Sequence, residues 1–214
     1  MYPDLDRYLK ARLAESGLIP EDRKKALDQV AAYVDERTRS GGPARLVFIC
    51  THNARRSQMA QIWAHTAARF FGLPGVAALS GGTEVTAFDT RAVSAMVRAG
   101  FQVDRQGQED NPVYLIHAGN KLPPVHAFSK TYLDPSFQQH GFCAVLTCSS
   151  ADRDCPVIPG ADRRVLIPYE DPKSADGTDR EAEVYDERCR EICREIGWLF
   201  ARAASGQATW AVRP

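Results

Sequence analysis

Short apolar runs alternate with helical stripes along most of the chain, and that alternation predicts the architecture. Leu46-Val47-Phe48-Ile49 has the length and the β-branched or aromatic character of a buried strand. Met59, Ile62 and Trp63 follow it at helical spacing. After the turn signals Gly72 and Pro74-Gly75, Val76-Ala77-Ala78-Leu79-Ser80 reads as a second strand. Asp89 or Thr90 can cap a helix bearing Ala92, Val93, Met96 and Val97, with Gly100 ending it. Phe142-Cys143-Ala144-Val145-Leu146-Thr147 is another buried strand, and residues 163–169 make the last one. Thr178 or Asp179 opens a long helix to about Ala204, with Ile192, Ile196, Leu199 and Phe200 as its stripe. Strands that alternate with helices in this order predict a parallel sheet with helices on both faces.

Two stretches stand outside the alternation. Residues 1–44 predict a helical extension. Pro3 with Asp4 starts one helix with Leu5, Leu9 and Leu13 on a face and Gly17 as C-cap. Pro20-Glu21-Asp22 starts another with Leu27, Val30 and Val34 as its stripe, ended by Gly41-Gly42-Pro43. Such a pair packs on the main domain or makes a homodimer contact. Residues 104–140 read as an insertion into a domain spanning 45–214. Asp104 to Asn111 is polar and reads as loop, whereas Val113 to His117 and Pro124 to Phe128 form a candidate β-hairpin. His117 and His126 would lie close there, but two histidines without a third ligand do not make a metal site, and no metal is expected.

Composition narrows the partners. The chain has 214 residues, 44% hydrophobic and 25% charged, with formal net charge +0. That suits one domain with an appended piece, and without a block of like charge nothing favours nucleic acid or an anionic membrane surface. No apolar stretch is long enough for a transmembrane helix. The acidic start Met1-Tyr2-Pro3-Asp4 lacks the apolar region of a secretory signal, so a cytoplasmic setting is expected. There, the 6 cysteines suggest catalysis or redox exchange more than structural disulfides.

The chemistry concentrates between the first strand and the helix after it: Cys50-Thr51-His52-Asn53-Ala54-Arg55-Arg56-Ser57. A short loop from a strand into a helix aims backbone N–H groups and the positive end of the helix dipole at one point. Cys50 opens that loop and is placed to react as a thiolate. Arg56, at the head of the helix, can grip an oxyanion through its guanidinium fork. A lone cysteine ending a buried strand is usually inert core; the Cys-x5-Arg-Ser spacing at this junction reverses that reading.

This stretch, continued through Gln58-Met59-Ala60, resembles the phosphate-binding loop of the low-molecular-weight protein tyrosine phosphatases and of the arsenate reductases that share their fold. The resemblance covers roughly residues 45–103 and 141–200. It implies a three-layer α/β/α domain with a small central, mainly parallel sheet of flavodoxin-like connectivity. It also implies oxyanion binding by Thr51, His52, Asn53, Ala54, Arg55 and Ser57, with Asn53 and Ser57 orienting the loop. Ser80-Gly81-Gly82-Thr83-Glu84 resembles the family's stretch after its second strand, where the serine supports the loop. Some of the related reductases bind potassium partly through a Thr-Ser-Asp segment. Phe128-Ser129-Lys130 stands in its place here, and since an ammonium cannot be a cation ligand, Lys130 is expected to bring the charge itself.

Two further pieces complete the expectation. A thiolate attacking an oxyanion needs a proton for the departing oxygen. Asp171-Pro172, after the last strand and before the long helix, sits where the family keeps its general acid; Asp134-Pro135 lies in the wrong topological position. The segment Cys148-Ser149-Ser150-Ala151-Asp152-Arg153-Asp154-Cys155-Pro156 resembles the cysteine pair of thioredoxin-coupled arsenate reductases. That resemblance implies a relay through Cys50, Cys148 and Cys155 that reduces arsenate to arsenite, with an external thioredoxin-type reductant and no tightly bound cofactor. The alternative is a low-molecular-weight phosphatase acting on phosphomonoesters, in which Cys148 and Cys155 protect Cys50. A non-catalytic anion-sensing module on the same fold would have no use for the retained Cys, Arg and Asp. Cys189 and Cys193, one turn apart on the long helix, read as packing or surface thiols.

Overall fold

Strand β1 (Ala44–Cys50) is the strand against which the sheet is laid. Its residues alternate between two apolar environments: Leu46 and Phe48 join a large core on one side, Val47 and Ile49 a smaller one on the other. Burial on both faces explains why this strand reads as a continuous apolar run. β2 (Val76–Gly82) lies parallel to it on one side and β6 (Phe142–Leu146) on the other, and β7 (Ala161–Leu166) adds parallel to β6. The computed structural model describes residues 1–107, 110–134, 140–154 and 157–206. Within them the order β2-β1-β6-β7 forms the central sheet.

Helices complete the layers. α2 (Glu21–Arg39), α3 (Arg56–Phe70) and α6 (Glu181–Ser205) cover the face of the large core. The short α5 (Ser149–Asp154) covers the other, where Cys50, Cys148, Ala151 and Ile158 cluster. This is the expected three-layer α/β arrangement. The first helix, α1 (Pro3–Ala14), and α2 are both present, and they do not hang off the domain. Leu5, Leu9, Leu27, Val30 and Val34 belong to the same buried cluster as Phe48 and Trp63, and Tyr8 stacks on Trp63 with ring centroids 5.5 Å apart.

The insertion brings the main surprise. β4 (Val113–His117) and β5 (Val125–Ala127) pair as the expected antiparallel hairpin. A third strand, β3 (Gln102–Gln106), pairs antiparallel with β4 and makes a second sheet in order β3-β4-β5. The start of the stretch expected to be loop is therefore strand. Its side chains are mostly exposed, so the ladder to β4 rather than apolar burial holds it, and no apolar alternation announces it. His117 pairs with Asp104 of β3 at 3.0 Å, while His126 is exposed.

Smaller differences have local causes. Asp89 caps α4 (Thr90–Arg98) as expected, accepting from Arg91 N at 2.9 Å. Gly17 is not a C-cap: α1 ends at Ala14 and a 3-10 turn, Ser16–Leu18, follows. Strand β7 stops at Leu166, although Ile167 and Tyr169 still donate to Leu146 O and Thr147 O. Cys189 and Cys193 are buried packing residues. Trp63 Nε1 donates to Cys189 Sγ at 3.4 Å, and burial pushes the Cys189 thiol up to about 11. Among the described residues no helix is long and apolar enough to cross a membrane.

Gly100, which ends α4 at φ +106°, is where α1 touches the domain: a Cβ there would lie 2.7 Å from Leu5 N. A left-handed backbone and a clash with main chain cannot both be relieved by side-chain motion. Gly100→Ala should therefore cost about 1 kcal/mol or more, read as a lowered denaturant midpoint, with the loss largest in probes of the N-terminal helices.

Candidate active site

The loop from Cys50 to Arg56 turns back on itself at Asn53, the one non-glycine residue at positive φ among the described residues, at +47°. Asparagine tolerates that conformation better than a branched residue because its short amide can bond locally. Here the amide is fully committed. Asn53 Nδ2 donates to Ser57 Oγ at 2.8 Å, and its Oδ1 accepts from Lys130 N at 3.0 Å. Since Ser57 Oγ already accepts from Asn53, its own proton is free for Cys50 Sγ, 3.0 Å away. Cys50 is 3% exposed and Ser57 fully buried, so this bond forms away from water, below the N-terminus of α3.

Around the loop, three carbonyl groups are held from neighbouring segments. Thr51 O accepts from Glu84 N at 2.9 Å, His52 O from Ser129 Oγ at 2.9 Å and Ala54 O from Asp89 N at 2.9 Å. The His52 ring points outward, 3.4 Å from Glu84 Oε2. Ser80, expected to support the loop, donates instead to Gln61 Oε1 of α3 at 2.6 Å, so it reaches the helix behind the loop. Direct support comes from Ser129, Thr86 and Gln58. Thr86 Oγ1 donates to His52 O at 3.1 Å, and Gln58 Nε2 to Phe128 O at 2.7 Å. No local motif marks them, because their partners lie far away in sequence.

Lys130 is buried beside this network, with Nζ 3.3 Å from Phe128 O and 4.3 Å from the Phe128 ring centroid. Burial lowers its pKa to about 8, with Asp134 pulling the other way. Among the described residues no group of three His, Cys, Asp or Glu could hold a metal.

Opposite the loop, Asp171 caps a 3-10 turn, Pro172–Ala175, and faces both arginines. Arg56 Nη2 donates to Asp171 Oδ2 at 2.8 Å, and Arg56 Nη1 to Tyr169 O at 3.0 Å. Arg55 Nε donates to Asp171 Oδ1 at 2.9 Å. Burial raises the Asp171 carboxyl, but the Arg56 and Arg55 guanidiniums with the Lys173 N–H outweigh it and hold the group below the usual carboxylate range. Cys148 is 2% exposed, its Sγ 3.6 Å from Thr51 Oγ1 and accepting from Ala151 N at 3.3 Å. Arg56, Cys148 and Asp171 line one cavity of about 630 Å³, whose far wall includes Asp22 and Arg23 of α2. Arg23 donates to Pro168 O at 2.8 Å and lies over the Tyr169 ring, 4.7 Å from its centroid, so the N-terminal helices brace the segment carrying Asp171. Cys155 lies outside the described residues.

A guanidinium, a carboxyl group and a buried thiol therefore share the wall of one cavity beside the Cys50 loop. A low-molecular-weight phosphotyrosine phosphatase from Vibrio cholerae O395 superposes with a TM-score of 0.54 at 16% identity, over 77% of this chain and 98% of that one. The chain has the low-molecular-weight phosphatase fold. By sequence, the chain is similar to an arsenate reductase of Bacillus licheniformis, 27% identical over 161 residues, 74% of this chain and 94% of the relative. An arsenate reductase of Bacillus subtilis is 26% identical over 152 residues, 71% of this chain and 88% of the relative. No family model matches the chain.

The loop leaves no room beneath it. A Cβ on Gly82 would lie 2.6 Å from Thr51 O and 2.9 Å from Asn53 N. Gly82→Ala should push the loop out of register and weaken phosphate or arsenate binding by about tenfold or more, since displacements near 1 Å at such sites cost up to ~10²-fold. Calorimetric titration of the oxyanion checks this, with circular dichroism expected to remain native-like.

Proposed function

We propose that the protein is an arsenate reductase that works through a cysteine relay. The Cys50 thiolate attacks arsenate cradled by the loop amides and the Arg56 guanidinium, forming a sulfur–arsenic bond as an oxygen leaves. Once Arg56 has turned from Asp171 to the oxyanion, Asp171 takes up a proton from solvent and passes it to that oxygen, so water departs instead of hydroxide. The Cys148 thiolate then attacks the Cys50 sulfur. A disulfide forms, the sulfur–arsenic bond breaks with its electron pair going to arsenic, and arsenite leaves. Cys155 attacks Cys148, freeing Cys50, and a thioredoxin-type dithiol reduces the Cys148–Cys155 disulfide.

The observation that carries this reading is the buried Cys148 thiol against Thr51 in the wall of the Arg56–Asp171 cavity. The hydrolytic step itself uses no thiol there, whereas a two-electron reduction needs one. The arsenate reductase relatives support the same reading. A second reading, hydrolysis of a phosphomonoester, is favoured by the cavity, which at about 630 Å³ far exceeds a bare oxyanion. Arsenate and phosphate share shape and charge, so the loop alone does not separate the two.

Arsenate should drive NADPH oxidation in a mixture with thioredoxin and thioredoxin reductase. Cys50→Ser and Cys148→Ser should each abolish it. Turnover unchanged in Cys148→Ser would overturn the relay, and if that variant also hydrolyses an aryl phosphate at the wild-type rate, the phosphatase reading takes its place.

A further inference from the structure

Arg55 has no role in the relay, although it is the least exposed arginine at the site, with 9% of its side chain accessible. Its fork is spent on two carboxylates. Nε and Nη2 grip Asp171 side-on at 2.9 and 3.4 Å, and Nη1 reaches Asp89 Oδ2 at 3.2 Å. Asp89 is itself fixed, since its other oxygen caps α4 and its N–H donates to Ala54 O of the loop at 2.9 Å. A closed circuit results, running from the loop to Asp89, through the guanidinium to Asp171, and back to the loop through Arg56.

We infer that Arg55 is a positioning residue, whose side chain ties the Asp171 carboxyl to the N-terminus of α4 and keeps it over the anion loop while Arg56 changes partners. The inference rests on the reading of Asp171 as the general acid. Arg56 serves two partners in succession. Before substrate binds it bonds Asp171 and Tyr169 O, and an oxyanion in the loop competes for the same fork. Without a second holder, Asp171 would lose its main anchor at the moment it must deliver a proton. Arg55 remains, because its own charge is balanced by Asp89 and Asp171 together. The side-on bidentate grip fixes the carboxyl plane in a way that a lysine ammonium cannot.

The same arrangement sets the direction of the pH dependence. Charged and titratable groups facing this pair are Arg56 of α3, Asp89 and Arg91 at the start of α4, and Tyr185 of α6, which donates to Asp176 at 2.8 Å. Removing Arg55 takes away a positive charge next to Asp171, so the acid form should persist to higher pH. An oxyanion ligand would behave differently: its removal would weaken substrate binding and leave that limb alone.

The test is Arg55→Gln beside Arg55→Lys. With arsenate and the thioredoxin system, Arg55→Gln should lower kcat about tenfold or more by misplacing the acid, leave KM for arsenate within about threefold, and move the alkaline limb of kcat/KM to higher pH. Arg55→Lys should restore the limb but only part of kcat. A KM raised more than about tenfold with the limb unmoved would overturn the inference in favour of direct oxyanion binding, and an unchanged kcat and limb would overturn it outright. A carbon-13 carboxylate titration of Asp171 by NMR needs no turnover. Its midpoint should rise in Arg55→Gln even if the protein reduces no arsenate, and a midpoint that stays put would refute the tie. Failure of the reductase reading is thereby distinguishable from failure of the inference.

Discussion

A strand that enters a helix through five residues must reverse direction and still present its N–H groups to a single point. Asn53, at φ +47°, makes that reversal, and the rest of the site depends on it. A left-handed backbone at a non-glycine residue costs about 1 kcal/mol or more. The bonds from its amide to Ser57 and from Lys130 N, each contributing about 1 kcal/mol net, offset that cost. Because the same amide occupies Ser57 Oγ as acceptor, it also leaves the serine proton for Cys50. Gly82 next door is bare because the loop packs directly on it.

Charge organises the other half of the site. Two adjacent arginines face two carboxylates, Asp89 and Asp171. Arg56 bonds Asp171 and Tyr169 O, while Arg55 is buried between Asp89 and Asp171. The segment bearing Asp171 is secured from outside by Arg23, which bonds Pro168 O and Glu195. The N-terminal helices thus share the core of the domain and also reach the wall of its cavity.

Much of this was legible in the residues. The apolar run at Leu46 to Ile49 and the stripes after it reported the parallel sheet because both faces of that strand are buried, and burial leaves a compositional trace. The Cys-x5-Arg-Ser spacing reported the loop because its geometry is local. β3 was not legible, since it is polar and held by ladder bonds to β4. Nor were the contributions of Ser129, Gln58 and Asp89, whose partners come together only through the tertiary fold. Arg55 was expected among the oxyanion ligands on the strength of its place in the loop; its guanidinium faces two carboxylates, a fact that sequence adjacency to Arg56 conceals. Ser80 is a similar case, one helix removed from the loop it resembles a support for.

In the proposed relay, two electrons reach arsenate from cysteines of this chain. Alkylating the protein after a single arsenate turnover without reductant, followed by peptide mass spectrometry, tests it most directly. One disulfide per chain is expected, joining Cys148 to Cys155, with Cys50 alkylated as a free thiol. Recovery of all three cysteines as alkylated thiols after arsenate exposure would contradict it.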